Sequence, residues 1–118
     1  MTSAERWLRE HLPTAPPGLL AEMTSALPAA SASVPDDLAA GALRLYRSVV
    51  EGPEERAAAL PLLAADALLT HAFQAQAELD PDGISQLALR WGGAGELGAL
   101  AHTLPARADP STLTARSP

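Results

Sequence analysis

The apolar residues of this chain are mostly Ala and Leu, and this choice limits what it can fold into. Hydrophobic residues make up 47% of the 118 positions, but aromatic residues make up only 3%. Ala and Leu head the scale of helix propensity, whereas the β-branched and aromatic residues that favour strands are scarce here. The sequence therefore predicts an all-α protein whose core is built from Leu and Ala on closely approaching helices.

Proline and glycine divide the chain into segments with helical periodicity. A chain of this length is expected to form one core. We expect a compact helical bundle of about six helices within a single domain, residues 1–104, followed by a disordered tail, residues 105–118, which lacks periodicity and is rich in Pro, Ser, Thr and Arg. The predicted helices cover residues 3–12, 17–27, 35–52, 54–79, 81–91 and 95–104.

The fourth predicted helix differs from the others because apolar residues cover most of its circumference. At ~100° per residue, its polar side chains fall on a stripe roughly 140° wide. Such a helix should lie at the centre of the bundle and pack on more than one side. Pro61 predicts a kink, or a break at which Pro61 begins a new helix. The last two helices, joined by Gly92 and Gly93, should fold back over the central helix as a C-terminal hairpin.

Charge and composition argue against several classes of function. The formal net charge is −6, and the eight basic residues are all Arg with no basic run, so a nucleic-acid partner is not expected. The absence of Cys removes thiolate chemistry. The first twelve residues carry charges where a signal peptide would be apolar, and no apolar stretch reaches the ~18 residues of a membrane span. We expect a cytoplasmic protein with no cofactor and no membrane partner.

A glycine-rich segment matches a dinucleotide-binding pattern in its letters. Residues 93–98 read Gly-Ala-Gly-Glu-Leu-Gly, and that pattern uses glycine for a tight turn and close approach to a pyrophosphate. However, the preceding segment has helical periodicity where the pattern requires a strand, and no βαβ unit is available. We therefore interpret these glycines as helix breakers that also permit close packing.

The polar stripe of the fourth helix is the strongest candidate for a site. Asp66 lies between Ala65 and Ala67, and an aspartate there implies either a face open to water or a buried partner. We expect a solvated face, so that Asp66→Ala changes the free energy of unfolding by no more than ~0.5 kcal/mol. No pair on the stripe has the spacing of a known metal site. If the stripe does hold a site, its residues are Asp66, Thr70, His71, Gln74 and Glu78.

Two smaller features also carry expectations. Arg44, Arg47 and Glu51 share one face of the third helix and predict surface ion pairs of little individual worth. Trp7 and Trp91 are interpreted as anchors of the core. In an acidic protein, tryptophans more often fill the core than form exposed platforms on which ligands stack.

Part of the chain resembles the central helices of polyprenyl diphosphate synthases. Residues 62–73 read Leu-Leu-Ala-Ala-Asp-Ala-Leu-Leu-Thr-His-Ala-Phe, and residues 92–98 read Gly-Gly-Ala-Gly-Glu-Leu-Gly. The family shows a similar run with Gly in place of Ala65, followed later by a glycine-rich segment. The two aspartate-rich motifs and the arginine pair of that family are missing here. Asp36-Asp37 does not supply the first motif, since no other acid follows at the required offset. The resemblance therefore implies a helical relative without catalytic activity.

These observations leave three hypotheses about function. The first is a non-catalytic helical interaction protein that forms a homodimer, because its helices offer more apolar surface than about 100 ordered residues can cover. The second is a binder of an apolar, isoprenoid-like small molecule held between the Leu and Ala faces. The third is a small enzyme or metal protein that uses His71 together with Asp66 or Glu78.

Overall fold

The computed structural model describes residues 1–52, 56–93 and 95–102, and these residues form helices and turns without a strand. The predicted all-α bundle is confirmed. The segments 53–55 and 103–118, which include the predicted tail, lie outside the described residues. The elements in chain order are α1 (Ser3–His11), α2 (Pro17–Ala26), α3 (Val34–Glu51), α4 (Ala59–Leu79), a 3₁₀ turn (Pro81–Gly83), α5 (Ile84–Trp91) and α6 (Glu96–Ala101).

The helices begin at local signals that the sequence carries. The Thr2 hydroxyl accepts a hydrogen bond from the Glu5 amide at 3.2 Å and caps α1. The Ser33 hydroxyl does the same for the Asp36 amide, so that α3 begins at Val34, one residue before the predicted start. Helix α4 begins at Ala59, five residues after its predicted start, and Pro61 lies in its first turn, where a missing N–H leaves no hydrogen bond unmade. Neither a kink nor a break at Pro61 is found, because the helix continues through this residue.

Helices α3 and α4 form the largest interface of the bundle. The face that α4 buries consists of four alanines, Leu68 and Gln76. On α3, Gly41 faces this interface, and a Cβ added to it would lie 3.2 Å from Leu68 Cδ1 and 3.3 Å from Leu27 Cδ2. Small side chains therefore let the two helices approach closely, as the Ala-rich composition predicts. Leu8 of α1, Met23 of α2 and Leu38 of α3 are also fully buried and complete the core.

The centre of the bundle is shared between two helices, which corrects the expectation for α4. Helix α3 packs against α1, α2, α4, α5 and α6, whereas α4 packs against α2, α3, α5 and the 3₁₀ turn. The start of α4 is also less covered than expected, since Leu60, Leu62 and Leu63 are 43%, 41% and 56% exposed. An apolar circumference did not guarantee burial, because the short outer helices do not extend over this end of α4.

Helices α5 and α6 form a C-terminal hairpin, as predicted, but it does not fold over α4 alone. The two helices pack against each other and against α3, and α5 also packs against α4. The turn between them is closed by backbone hydrogen bonds from the amides of Gly95 and Gly98 to the Gly92 carbonyl, at 3.0 Å and 3.2 Å. A Cβ at Gly98 would collide with the Gly93 carbonyl oxygen. This segment is a tight helix–helix turn, and glycine is required there by close backbone approach.

The glycine turn gives a prediction with an internal control. Gly98→Ala should lower the free energy of unfolding by about 2 kcal/mol, because the new methyl group must displace backbone. Gly93→Ala should change it by less than about 0.5 kcal/mol, since nothing lies within 4 Å of its Cβ position. Urea unfolding followed by far-ultraviolet circular dichroism measures both. Equal losses in the two variants would contradict the close approach.

Candidate functional site

The structure divides the predicted polar stripe of α4 between different partners. The Asp66 carboxylate accepts a hydrogen bond from the Tyr46 hydroxyl of α3. The Thr70 hydroxyl donates to the backbone carbonyl of Asp66 at 2.9 Å, and His71 Nδ1 lies 2.8 Å from Gln74 Oε1. Glu78 reaches α1. The five residues share one helix, but their hydrogen bonds do not bring them into one site.

The pair Tyr46 and Asp66 joins α3 to α4 at the edge of the core. Asp66 is exposed, as expected, while the Tyr46 side chain is half-buried and packs against the core. Burial raises the pKa of the Tyr46 hydroxyl, and the hydrogen bond to Asp66 and the charge of that carboxylate raise it further. The sequence did not indicate this partner, because Tyr46 lies 20 residues away on another helix.

A second polar cluster joins α1 to the end of α4. The Trp7 and His11 rings are stacked, with their centroids 3.8 Å apart. The Trp7 indole N–H donates to Glu78 Oε2 at 3.3 Å, and His11 Nε2 lies 3.1 Å from both oxygens of the same carboxylate. His11 Nδ1 faces the Trp7 carbonyl at 2.9 Å. Both ring nitrogens of His11 therefore face oxygen atoms that can accept a hydrogen bond.

Trp7 and Glu78 also line an open groove of about 490 Å³. Its other walls are the loop before α3, residues 31–34, together with Ser3, Ala75 and Leu79. Ser31 and Ser33 in this loop already donate their hydroxyl protons to Asp37 and Asp36, at 2.6 Å and 2.8 Å. The groove offers apolar surface and one carboxylate that is already bound to α1.

A third polar cluster fixes α5 to the first turn of α3. Asp36 accepts hydrogen bonds from the Trp91 indole N–H at 2.8 Å and from Arg90 Nε at 3.1 Å. Burial by itself raises the pKa of Asp36, but the hydrogen bonds from Trp91, Ser33 and Arg90, together with the Arg90 charge, outweigh it and lower the pKa. Trp91 therefore does more than fill space, because its indole N–H ties two helices together.

Comparison with known proteins does not add a family. No family model matches the chain, and no curated protein or solved structure shows a significant match. The resemblance of residues 62–100 to polyprenyl diphosphate synthases therefore stays a prediction. Among the described residues, no three His, Asp or Glu side chains are arranged to hold a metal ion. None of the helices within 1–52, 56–93 and 95–102 combines the length and apolar character needed to cross a membrane.

Tyr46 gives a pH-dependent prediction that is simple to measure, because it is the only tyrosine in the chain. Its phenol should titrate above the ordinary pKa of 10.0. In the unfolded state the phenol loses its proton first, so the free energy of unfolding should fall as the pH rises above about 10. Absorbance at the tyrosinate band, measured against pH, gives the midpoint.

The Asp66→Ala variant separates the causes of this shift. The midpoint of Tyr46 should fall but stay above its ordinary value, because burial, the largest cause, remains. With Tyr46 as a partner, the loss in unfolding free energy is expected to reach about 1 kcal/mol instead of the smaller value for a solvated residue. Glu78→Ala, another exposed carboxylate on α4, is the control and should leave the midpoint unchanged. A Tyr46 midpoint that does not respond to Asp66→Ala would disprove the hydrogen bond.

Proposed function

We propose that this chain is a non-catalytic helical interaction domain of the cytoplasm that associates with a second copy of itself. The observation that supports this is an apolar surface at the end of the α3–α4 pair, which we call the leucine end. It consists of Val50, Leu60, Leu62 and Leu63, which are between 37% and 56% exposed. These residues lie at the end of α3 and the start of α4, and a group of exposed apolar side chains near one end of a domain is typical of an interaction surface.

The charges beside the leucine end suit a second copy. Glu51, at the end of α3, and Arg56, before the start of α4, are both exposed. In a two-fold symmetric dimer, each residue pair across the interface occurs twice, with the two chains exchanging roles. Glu51 of one chain can therefore face Arg56 of the other on both sides of the apolar patch. Such rim charges contribute orientation more than affinity.

The size of the leucine end sets the expected strength of the dimer. Burying a leucine completely contributes about 1.5–3 kcal/mol, so a half-exposed one has roughly 1 kcal/mol left to gain. Eight such side chains in a dimer give about 8 kcal/mol before the cost of association, which is at least about 4 kcal/mol. These values leave at most about 4 kcal/mol, so we expect a weak dimer with a dissociation constant between about 1 and 3 mM.

Sedimentation equilibrium over this concentration range tests the proposal. The average mass of the unmodified chain should rise towards twice the monomer mass as its concentration increases. Leu63→Glu should keep the chain monomeric, because it places a charge at the centre of the leucine end. Leu79→Glu is the matched control, since Leu79 lies at the other end of α4 and is 70% exposed.

Two results would reject the dimer. One is a constant monomer mass for the unmodified chain up to about 3 mM, a concentration at which a dimer of the expected affinity would contain about half of the chains or more. The other is equal loss of association in Leu63→Glu and Leu79→Glu, which would point to a general effect of added charge. Circular dichroism of both variants checks that the helices remain.

The second candidate function is binding of an apolar small molecule, and the groove beside Trp7 is the observation that favours it. Its volume of about 490 Å³ lies within the range of small-molecule sites, about 300–1,000 Å³. The other apolar cavity, between Tyr46, Val50 and Leu97, is smaller, at about 190 Å³, and is not suited to an isoprenoid. Native mass spectrometry of protein purified without added ligand distinguishes the candidates, because only the second requires a retained lipid.

A further inference from the structure

A separate groove of about 450 Å³ lies between α3 and Trp91, on the part of α3 that carries two arginines. Its floor includes Leu43, which is 6% exposed. Arg44 and Arg47 line it, and both side chains are exposed. Its volume falls within the usual range for small-molecule sites. The groove therefore combines an apolar floor, an aromatic wall and two cationic side chains.

The two arginines of this groove do not form the ion pairs that the sequence predicts with Glu51. Among the described residues, Arg44 has no ion pair, and Arg47 has one, to Glu96 at the long distance of 4.0 Å. By contrast, Arg9 and Arg90 are held by carboxylates at 3.1 Å and 3.0 Å. The guanidinium group of Arg44 is thus available to bind another group, and Arg47 can do so if it gives up its long contact with Glu96.

Trp91 supplies a wall whose position is fixed. Its indole N–H donates to Asp36 at 2.8 Å, and the ring is half-buried against the core. A ring held in this way loses little conformational freedom when a ligand packs against it. Aromatic faces bind flat apolar groups, and arginine binds carboxylate or phosphate oxygens through two parallel hydrogen bonds.

We propose that this groove, the arginine groove, binds a small organic anion that carries a carboxylate or phosphate group on an aromatic or other apolar body. The oxyanion lies between Arg44 and Arg47, and the apolar body lies over Leu43 beside Trp91. Glu51 also lines the groove, and its negative charge opposes the anion. The affinity is therefore modest, with a dissociation constant of about 1 mM for a ligand of phenyl phosphate size in this solvent-exposed position.

Nuclear magnetic resonance titration with phenyl phosphate and with phenylacetate tests this proposal. The side-chain N–H signals of Arg44 and Arg47 and the indole N–H signal of Trp91 should shift together and saturate. Inorganic phosphate, which lacks the apolar body, should bind at least about three-fold more weakly, since it gains nothing from the apolar wall. A protein concentration of about 50 µM limits self-association, and the groove lies within one chain, so failure of the dimer leaves this test intact.

Charge variants separate the arginine groove from non-specific attraction. Arg44→Gln combined with Arg47→Gln should weaken phenyl phosphate binding about ten-fold, because both guanidinium forks are lost. Arg6→Gln, an exposed arginine on α1, is the control and should have no effect. Glu51→Gln should tighten binding about two- to three-fold by removing a repulsive charge. A general loss of structure cannot produce tighter binding, so this variant guards against that explanation.

Three results would overturn the proposal. The first is the absence of saturable shifts up to about 10 mM ligand, well above the dissociation constant expected for a ligand of this size. The second is unchanged affinity in the double arginine variant. The third is equal weakening in Arg6→Gln, which would show attraction to the overall charge of the chain and not to this groove.

Discussion

The close approach of α3 and α4 is the constraint on which the rest of the structure depends. Four alanines on α4 and Gly41 on α3 reduce the side-chain volume between the two helices, and Gly41 leaves room for Leu68. Small residues at a helix interface allow closer packing than leucines do, and the interface then gains many weak dispersion contacts. The larger side chains that fill the core come from the edges of this pair and from α1 and α2. Close packing of this kind allows a chain with only 3% aromatic residues to form a core from Ala and Leu.

Polar contacts attach the outer helices to this pair. The Glu78 carboxylate contacts Trp7 and His11 and so connects α1 to α4. The Asp36 carboxylate accepts hydrogen bonds from Arg90 and Trp91 and so connects α5 to α3. Both carboxylates are partly solvent-exposed, so each contact contributes little to stability alone. Their effect is to fix the arrangement of the helices. Apolar Ala and Leu surfaces can pack in many registers, whereas a directed hydrogen bond forms in only a few of them. On α4, Glu78 has this role and Asp66 pairs with Tyr46, while Thr70, His71 and Gln74 form their hydrogen bonds within α4 itself.

Two exposed surfaces, the leucine end and the arginine groove, do not take part in the packing of the bundle. The leucine end arises because the outer helices are short and leave the start of α4 uncovered. The arginine groove lies between α3 and Trp91, whose indole N–H is hydrogen-bonded to Asp36. We propose a second chain as the partner of the first surface and a small anion as the ligand of the second. The two surfaces meet at Glu51, which lines the arginine groove and faces Arg56 of the second chain in the proposed dimer.

The sequence by itself determined the helical class, the C-terminal hairpin and most helix boundaries, because these depend on propensity, periodicity, and the local geometry of Pro, Gly and capping side chains. Thr2 and Pro61 are examples whose effects act within a single turn. The sequence also named Asp66 and Glu78 as notable, since a carboxylate in an apolar helix needs water or a partner. Only the tertiary structure decided the partners, Tyr46 for Asp66, and Trp7 with His11 for Glu78, which lie 20 to 71 residues away along the chain. It likewise decided which leucines stay exposed, since helical periodicity describes the faces of one helix, and burial depends on how far the neighbouring helices extend.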